Sequence, residues 1–236
     1  MKKITVVIPA YNEELGIKET IQEVKKALEG VHTYTSEIIV VNNNSTDKTE
    51  EIAKKEKVTV LFEGQQGYGF AYKRGLREAR GDIIITGDAD GSYPFLDIPR
   101  FLKIHEEEHI EFINTNRFAH LEEGSMSLMN HFGNKFLTFF TNMLYGVRVE
   151  DSQSGMILCT RKYLDKVNLE ILSNGMALCQ ELKLYALSLN FSFKEIPIYY
   201  RKRIGKVKLR PFVDGIKNFL RLFQFRTRLQ NDISRK

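Results

Sequence analysis

The first half of the chain alternates short apolar runs with longer stretches in which apolar residues recur every three or four positions. Ile4-Thr5-Val6-Val7-Ile8 is β-branched throughout and reads as a buried strand. Residues 13–29 then carry the spacing of an amphipathic helix. The alternation continues with a strand over 37–41 and a helix over 47–55, for which Ser45 or Thr46 is the expected cap. Strands at 58–62, 82–86 and 110–115 flank helices at 68–80 and 96–107. Beyond them the pattern loosens to a helix at 127–145, a strand at 156–160, a helix at 177–189 and a strand at 191–199. Strands alternating with helices predict βαβ units, hence an α/β fold with a mostly parallel sheet covered by helices on both faces.

The C-terminal segment follows a different rule. From Pro211, apolar Phe212, Ile216, Phe219, Leu220 and Phe223 recur at helical spacing, with Lys217 and Arg221 among them. A body over 1–205 and a basic amphipathic helix or tail over 206–236 are the expected units. Charge sharpens the division. The chain carries a net +5, yet residues 201–236 hold twelve Lys+Arg against two Asp+Glu, which leaves the first 200 residues at −5. Basic charge beside an aromatic apolar stripe points to a membrane surface rather than nucleic acid. A solvated basic helix, or a homo-oligomer packed through the stripe, is the alternative. The apolar fraction of 42% is ordinary for a globular protein. Cys159 and Cys179 form neither a disulfide framework nor a zinc knuckle, which favours a reducing, intracellular setting. The N-terminal apolar run is too short for a signal peptide, and no window approaches the ~18–20 apolar residues of a membrane span. A cytoplasmic protein, peripheral at the inner face of the cell membrane, is expected.

Candidate chemistry lies where strands end. In α/β sheets ligands bind beyond the carboxyl ends of the strands. Three polar segments fall there: Pro9-Ala10-Tyr11-Asn12, Asn42-Asn43-Asn44 and Asp88-Ala89-Asp90. Two carboxylates one residue apart repel unless a cation lies between them or one stays protonated. Mg²⁺ or Mn²⁺ takes one or two carboxylates and completes its octahedron with phosphates and water. An Asx turn closing a surface loop is the bland reading of the same residues.

Taken in order, the motifs resemble a known family. Val7-Ile8-Pro9-Ala10-Tyr11-Asn12-Glu13-Glu14, Asn43-Asn44-Ser45-Thr46-Asp47 and Asp88-Ala89-Asp90 are similar to the family 2 glycosyltransferases of GT-A fold. The closest likeness is to the polyprenyl-phosphate (dolichol-phosphate) sugar transferases. Gln66-Gly67-Tyr68-Gly69, Asn116-Arg117-Phe118, Asp151-Ser152-Gln153-Ser154-Gly155 and Ile196-Pro197-Ile198 continue the series.

The resemblance implies roles. Pro9, Ala10, Tyr11 and Glu13 would line the donor nucleotide, with Ala89 between the two acids, and Asp88 and Asp90 would hold the metal on its diphosphate. Gln66 and Gly67 open a helix whose N-terminal amides can face phosphate. Arg117, with Arg201, Arg203 or Lys208, would neutralise donor and acceptor phosphates. Glu181 is the candidate base, with a helix-dipole carboxylate as its plain alternative. Two positions depart from the family pattern. Asn42 stands where an aspartate usually reads base or ribose, and Ser92 where a metal-supporting glutamine is common. The resemblance implies a nucleoside-diphosphate sugar donor, with UDP and GDP both left open by these departures, and a polyprenyl or dolichyl phosphate acceptor that attacks the sugar's anomeric carbon with inversion.

Rival readings use the same residues. A nucleotidyltransferase would also place a metal on a parallel-sheet rim but release pyrophosphate. A non-catalytic nucleotide-sugar or lipid-phosphate module would bind without turnover. His105-Glu106-Glu107-Glu108-His109 matches H-E-x-x-H literally, but it closes a short helix directly before a strand, which argues against a zinc site.

Overall fold

The computed structural model describes residues 1–208 and 211–234. Strands β1 (Lys2–Ala10), β2 (Tyr34–Asn42), β3 (Thr59–Phe62), β4 (Ile83–Thr86), β5 (Phe112–Leu121), β6 (Ile157–Thr160) and β7 (Phe193–Tyr200) lie in one sheet. Their order is β3-β2-β1-β4-β6-β5-β7. Helices α1 (Ile17–Glu29), α2 (Thr49–Lys55), α3 (Tyr68–Glu78) and α4 (Ile98–Glu108) alternate with the first strands. Later come α5 (Leu128–Tyr145), the short α6 (Arg161–Leu164), α7 (Leu178–Ser188) and α8 (Pro211–Ile233). The pairs β1–β2, β1–β4, β2–β3 and β5–β7 are parallel, as the alternation predicts. β6 is the exception, antiparallel to both β4 and β5.

Period-two alternation sends side chains of each central strand into two different cores. Ile4, Val6 and Ile8 of β1 pack with α1 and with Phe95 and Phe101 around α4. Val7 of the same strand faces Tyr72 and Leu76 of α3. This explains why the strands read as continuous apolar runs: both faces are covered. Cys159 and Cys179 are buried free thiols.

Several boundaries differ from the sequence pattern for local reasons. α1 starts at Ile17 because the Glu13 carbonyl accepts from the N–H groups of Gly16 and Ile17, a tight turn that precedes the helix. Ser45 does not cap α2; its Oγ accepts from the Asn12 N–H at 3.0 Å, and α2 follows Lys48 without a side-chain cap. α6 was not signalled by periodicity, being only four residues long.

The C-terminal helix has two apolar faces. Leu222, Phe225 and Leu229 are buried in the core that holds Tyr72, Leu182 and Tyr185. The Tyr145 hydroxyl donates to the Leu222 carbonyl at 2.7 Å, tying α5 to α8. Basic charge lies both before the helix and within it. Arg201, Lys202, Arg203, Lys206 and Lys208 precede the helix, which itself holds four Lys+Arg and two Asp. Among the described residues no helix is long and apolar enough to cross a membrane.

Phe225 tests how firmly α8 belongs to this core. With its side chain wholly buried, Phe225→Ala should cost about 3–5 kcal/mol in urea unfolding. A loss below about 1 kcal/mol would place the helix outside the cooperative unit.

Candidate functional site

The three polar segments do converge at the carboxyl ends of β1, β2 and β4, and the chain fastens them to one another. After β1, Asn12 turns through a left-handed backbone (φ 53). Its N–H donates to Ser45 Oγ, and its Oδ1 accepts from the Thr46 N–H at 2.8 Å. The Glu13 N–H donates to Thr49 Oγ1 at 2.8 Å. Asn42 is buried, its amide donating to Glu50 at 2.6 Å while its Oδ1 accepts from the Ser45 N–H. Asn43 donates to the Gln65 carbonyl at 2.7 Å and accepts from the Gly67 N–H at 2.8 Å. These asparagines therefore knit the loops together from inside the rim. Pro9, Ala10 and Ala89 are buried backbone beside it, and Tyr11 is exposed above.

Asp88 and Asp90 leave β4 into this setting. Burial, then the charge of Asp90, pushes the Asp88 carboxyl up to about 7, with Glu13 adding in the same direction. Burial raises Glu13 too, against the opposing charges of Lys208 and Arg203. Asp90 is 5% exposed, and its Oδ1 accepts from the Ser92 hydroxyl at 2.6 Å and the Ser92 N–H at 3.0 Å. Ser92, standing where a glutamine is common, thus supports Asp90. Among the described residues no group of three or more His, Cys, Asp or Glu side chains is arranged to hold a metal. Two crowded carboxylates whose repulsion raises Asp88 do fit Mg²⁺ or Mn²⁺, ions that draw their remaining ligands from phosphate and water.

Positive charge reaches the same rim from the segment that follows β7. Its backbone is stitched down: the Arg201 N–H donates to the Ser92 carbonyl at 3.0 Å and the Ile204 N–H to the Asp90 carbonyl at 2.7 Å. Arg203 lies 2.8 Å from Glu13 and 3.5 Å from Asp90. Lys208 pairs with Glu13 at 2.5 Å and donates to the Asn12 carbonyl at 2.6 Å. Arg201 points elsewhere, to Glu23 at 2.8 Å and the Tyr93 carbonyl. It anchors the segment, while Arg203 and Lys208 serve the rim.

Arg117 is nearly buried and held by Asp151 through two bonds, Nε at 2.7 Å and an Nη at 2.9 Å. Burial alone would raise Asp151, yet Arg117 overcomes it and holds the carboxyl below its ordinary range. The Arg117 charge still reaches Asp88, which it favours in the ionised form. Lys183, fully buried, donates to the Ser152 and Ser154 carbonyls at 2.9 and 2.7 Å and props the same loop from beneath. Glu181 is not gathered with the aspartates. Its oxygens accept from Arg221 of α8 and from the Ser173 N–H.

Gln66 is exposed. Gly67 takes φ 153, and a Cβ there would come within 2.7 Å of the Asn174 carbonyl oxygen. The N–H groups of Gly67 and Gly69 donate to Asn43 and Asn174, so two amides at the opening of α3 have protein partners. The H-E-x-x-H match dissolves. His105 Nδ1 lies 2.6 Å from the Ile110 carbonyl, and His109 ends α4 in a left-handed backbone. Sequence reasoning missed Asp151 and Lys183 as partners of the Arg117 loop, and Tyr68, whose hydroxyl meets Asp88. Only the position of Tyr68 inside Gln66-Gly67-Tyr68-Gly69 hinted at it.

Comparison with known proteins agrees with this geometry. The model of the family described as glycosyl transferase family 2 matches residues 5–167. The low-salt glycan biosynthesis hexosyltransferase Agl6 of Haloferax volcanii is 36% identical over 90% of this chain, which spans 51% of that protein's length. A dolichyl-phosphate hexose transferase of the same organism is 28% identical, with 90% of this chain and 89% of the relative covered. The dolichyl-phosphate beta-glucosyltransferase of Mus musculus is 30% identical over 89% of this chain and 71% of its own. In fold, the chain is similar to glucosyl-3-phosphoglycerate synthase of Mycobacterium tuberculosis, solved with Mn²⁺, UDP and phosphoglyceric acid. The TM-score is 0.76 at 20% identity, covering 95% of this chain and 78% of that one.

Repulsion at the rim has a measurable sign. The folded protein binds the Asp88 proton more tightly than the unfolded chain does. The stability this proton contributes is complete below the unfolded carboxyl range and is lost as pH rises through about 7. In the EDTA-treated protein, carboxyl ¹³C NMR should find a group titrating near pH 7, moved down by Asp90→Asn. A wild-type midpoint in the ordinary carboxylate range, unmoved by that substitution, would remove the repulsion.

Proposed function

The chain belongs to glycosyl transferase family 2, and from that premise we propose that it moves a sugar from a nucleoside-diphosphate sugar to a polyprenyl (dolichyl-type) phosphate at a membrane surface. The observation that carries this reading is the meeting of Glu13, Asp88 and Asp90 with Arg203 and Lys208 at one rim. Relatives named for dolichyl-phosphate hexose and beta-glucosyl transfer support the acceptor.

Charge dictates the division of labour. A lipid monophosphate, with a second pKa near ~6, is already largely anionic at neutral pH. Its oxygen attacks the anomeric carbon as the bond from that carbon to the diphosphate oxygen breaks, which inverts the configuration. The nucleoside diphosphate leaves with the bonding electrons, and no strong base is required. Glu181, committed to Arg221, then serves to join α7 to α8 rather than to remove a proton. Asp88 and Asp90 hold the divalent ion, Mg²⁺ or Mn²⁺, which when bound supplies Lewis-acid stabilisation of the leaving diphosphate. Arg203 and Lys208 bring preset positive charge to the same phosphates. Arg117, fixed by Asp151, adds a positive field at Asp88 from a set position.

The lipid acceptor calls for a surface, and the outward faces of α5 and α8 supply one. Phe132, Phe136 and Phe139 of α5 are between 52% and 70% exposed. Phe212, Ile216 and Phe223 of α8 are between 48% and 73% exposed. Phe136 and Phe140 meet Phe219 across the two helices, so the faces form one apolar patch. Exposed Lys135 and Lys217 stand beside it. An aromatic patch flanked by lysines suits reversible seating in a bilayer interface.

A release assay across UDP- and GDP-sugars, with a short polyprenyl phosphate and Mg²⁺ or Mn²⁺, should yield nucleoside diphosphate. Asp90→Ala should lower the rate at least about 100-fold, the scale on which key electrostatic groups act. Pyrophosphate released from nucleoside triphosphate and a sugar phosphate would favour a nucleotidyltransferase, and binding without turnover a non-catalytic module. Separately, the protein should float with vesicles containing anionic lipid, and Phe132→Ser with Phe223→Ser should abolish flotation while leaving urea stability nearly unchanged. Equal flotation of that double variant would count against the patch.

A further inference from the structure

Asp88 has a neighbour that no part of the reaction yet uses. The Tyr68 hydroxyl, at the first position of α3, lies 2.9 Å from Asp88 Oδ1 and 3.1 Å from the Tyr72 hydroxyl. Cys179 Sγ approaches it at 3.6 Å. The two tyrosine rings pack at a centroid distance of 4.6 Å. From the other side the backbone closes in, for a Cβ on Gly155 would stand 2.5 Å from the Tyr68 oxygen. The hydroxyl is therefore fixed in position by packing before any ligand arrives.

Counting protons gives the bond its direction. The Tyr72 hydroxyl donates to the Gly155 carbonyl at 2.8 Å, so towards Tyr68 it can only accept. The Cys179 thiol is a weak donor and points its sulfur at Tyr68. A single Tyr68 proton remains, with two acceptors in reach. With a cation on the site Asp88 is ionised, and the carboxylate is then both the nearer acceptor and a charged one; charge-assisted bonds are roughly twice as strong as neutral ones. The proton goes to Asp88.

We propose that Tyr68 is a positioning residue for the cation site: its hydroxyl holds Asp88 by Oδ1 and sets the direction of the carboxylate. Asp88 Oδ2 has no hydrogen-bond partner among the described residues, so it is the oxygen left for a cation. The inference rests on the reading of Asp88 and Asp90 as metal ligands. Groups that orient a metal ligand through such a bond typically govern 10–100-fold in metal affinity. Tyr68→Phe keeps the ring and its packing and deletes only the donor.

The test is direct Mn²⁺ binding by the full chain, read from the loss of the free-Mn²⁺ electron paramagnetic resonance signal, with UDP and with GDP present. Tyr68→Phe should weaken Mn²⁺ binding about tenfold and shift thermal unfolding in EDTA only slightly. Tyr72→Phe, which deletes a hydroxyl from the same pair but no bond to Asp88, should stay within about twofold of wild type. Wild-type Mn²⁺ affinity in Tyr68→Phe, alongside loss of binding in Asp88→Ala, would overturn the role of Tyr68 and leave the metal reading standing. Equal weakening by both tyrosine substitutions would also overturn it, as a general packing effect. If Asp88→Ala binds like wild type, the metal reading itself falls and takes Tyr68 with it.

Discussion

Three carboxylates crowded at the end of a parallel sheet repel, and that repulsion organises much of this molecule. Glu13 comes from the turn after β1, and Asp88 and Asp90 from the exit of β4. Each is placed by backbone geometry: the pairing of β1 with β4 brings the two loops together, and the Asn12 turn and the Gly16 amide fix the backbone of Glu13. A site built this way stores an appetite for positive charge. The aspartates are separated from solvent enough that the cost is felt, and Asp88 responds by holding its proton longer.

Protein cations answer part of the demand. Arg203 and Lys208 are carried to Glu13 and Asp90 by a segment whose backbone is hydrogen-bonded to the Asp90 and Ser92 carbonyls. Among the described residues neither forms an ion pair with Asp88, whose hydrogen bond there is to the neutral Tyr68 hydroxyl. In the proposed reaction this asymmetry matters. Residues that neutralise one another in the free protein are the same ones that must face a metal and a diphosphate, so the charge of the site stays nearly balanced at every stage. The long reach from β7 back to β1 also ties the rim to α8, which begins three residues after Lys208.

Much of this was legible in the sequence, and the rest was hidden for identifiable reasons. Apolar runs and helical spacing located the main strands and helices, because both faces of the sheet are covered and the runs are unbroken. Asp88-Ala89-Asp90 stood out because its chemistry is local: two acids one residue apart at a strand end repel, and either a cation or a retained proton must answer that repulsion. The pairing of Arg203 with Glu13 spans 190 residues, and nothing in the spacing of Arg201-Lys202-Arg203 distinguishes a strap across a site from a basic surface tail. The inward face of α8 escaped notice for a related reason. Leu222, Phe225 and Leu229 lie opposite the aromatic stripe that the eye follows first. The reversal of β6 left no trace at all, since a strand of three apolar residues and a threonine reads the same in either direction.

That reversed strand has one more consequence. Met156 and Leu158 point into one core, while Ile157 and Cys159 point into the other. Slipping β6 by a single residue would exchange one oily environment for another, so hydrophobicity cannot count residues here. Polar bonds do the counting. The Gly155 carbonyl accepts from Thr86 and Tyr72, its N–H donates to Tyr93, and Lys183 grips the Ser154 carbonyl. The alignment of the sheet's central strands is thereby enforced from the ligand end, by the very groups that surround Asp88.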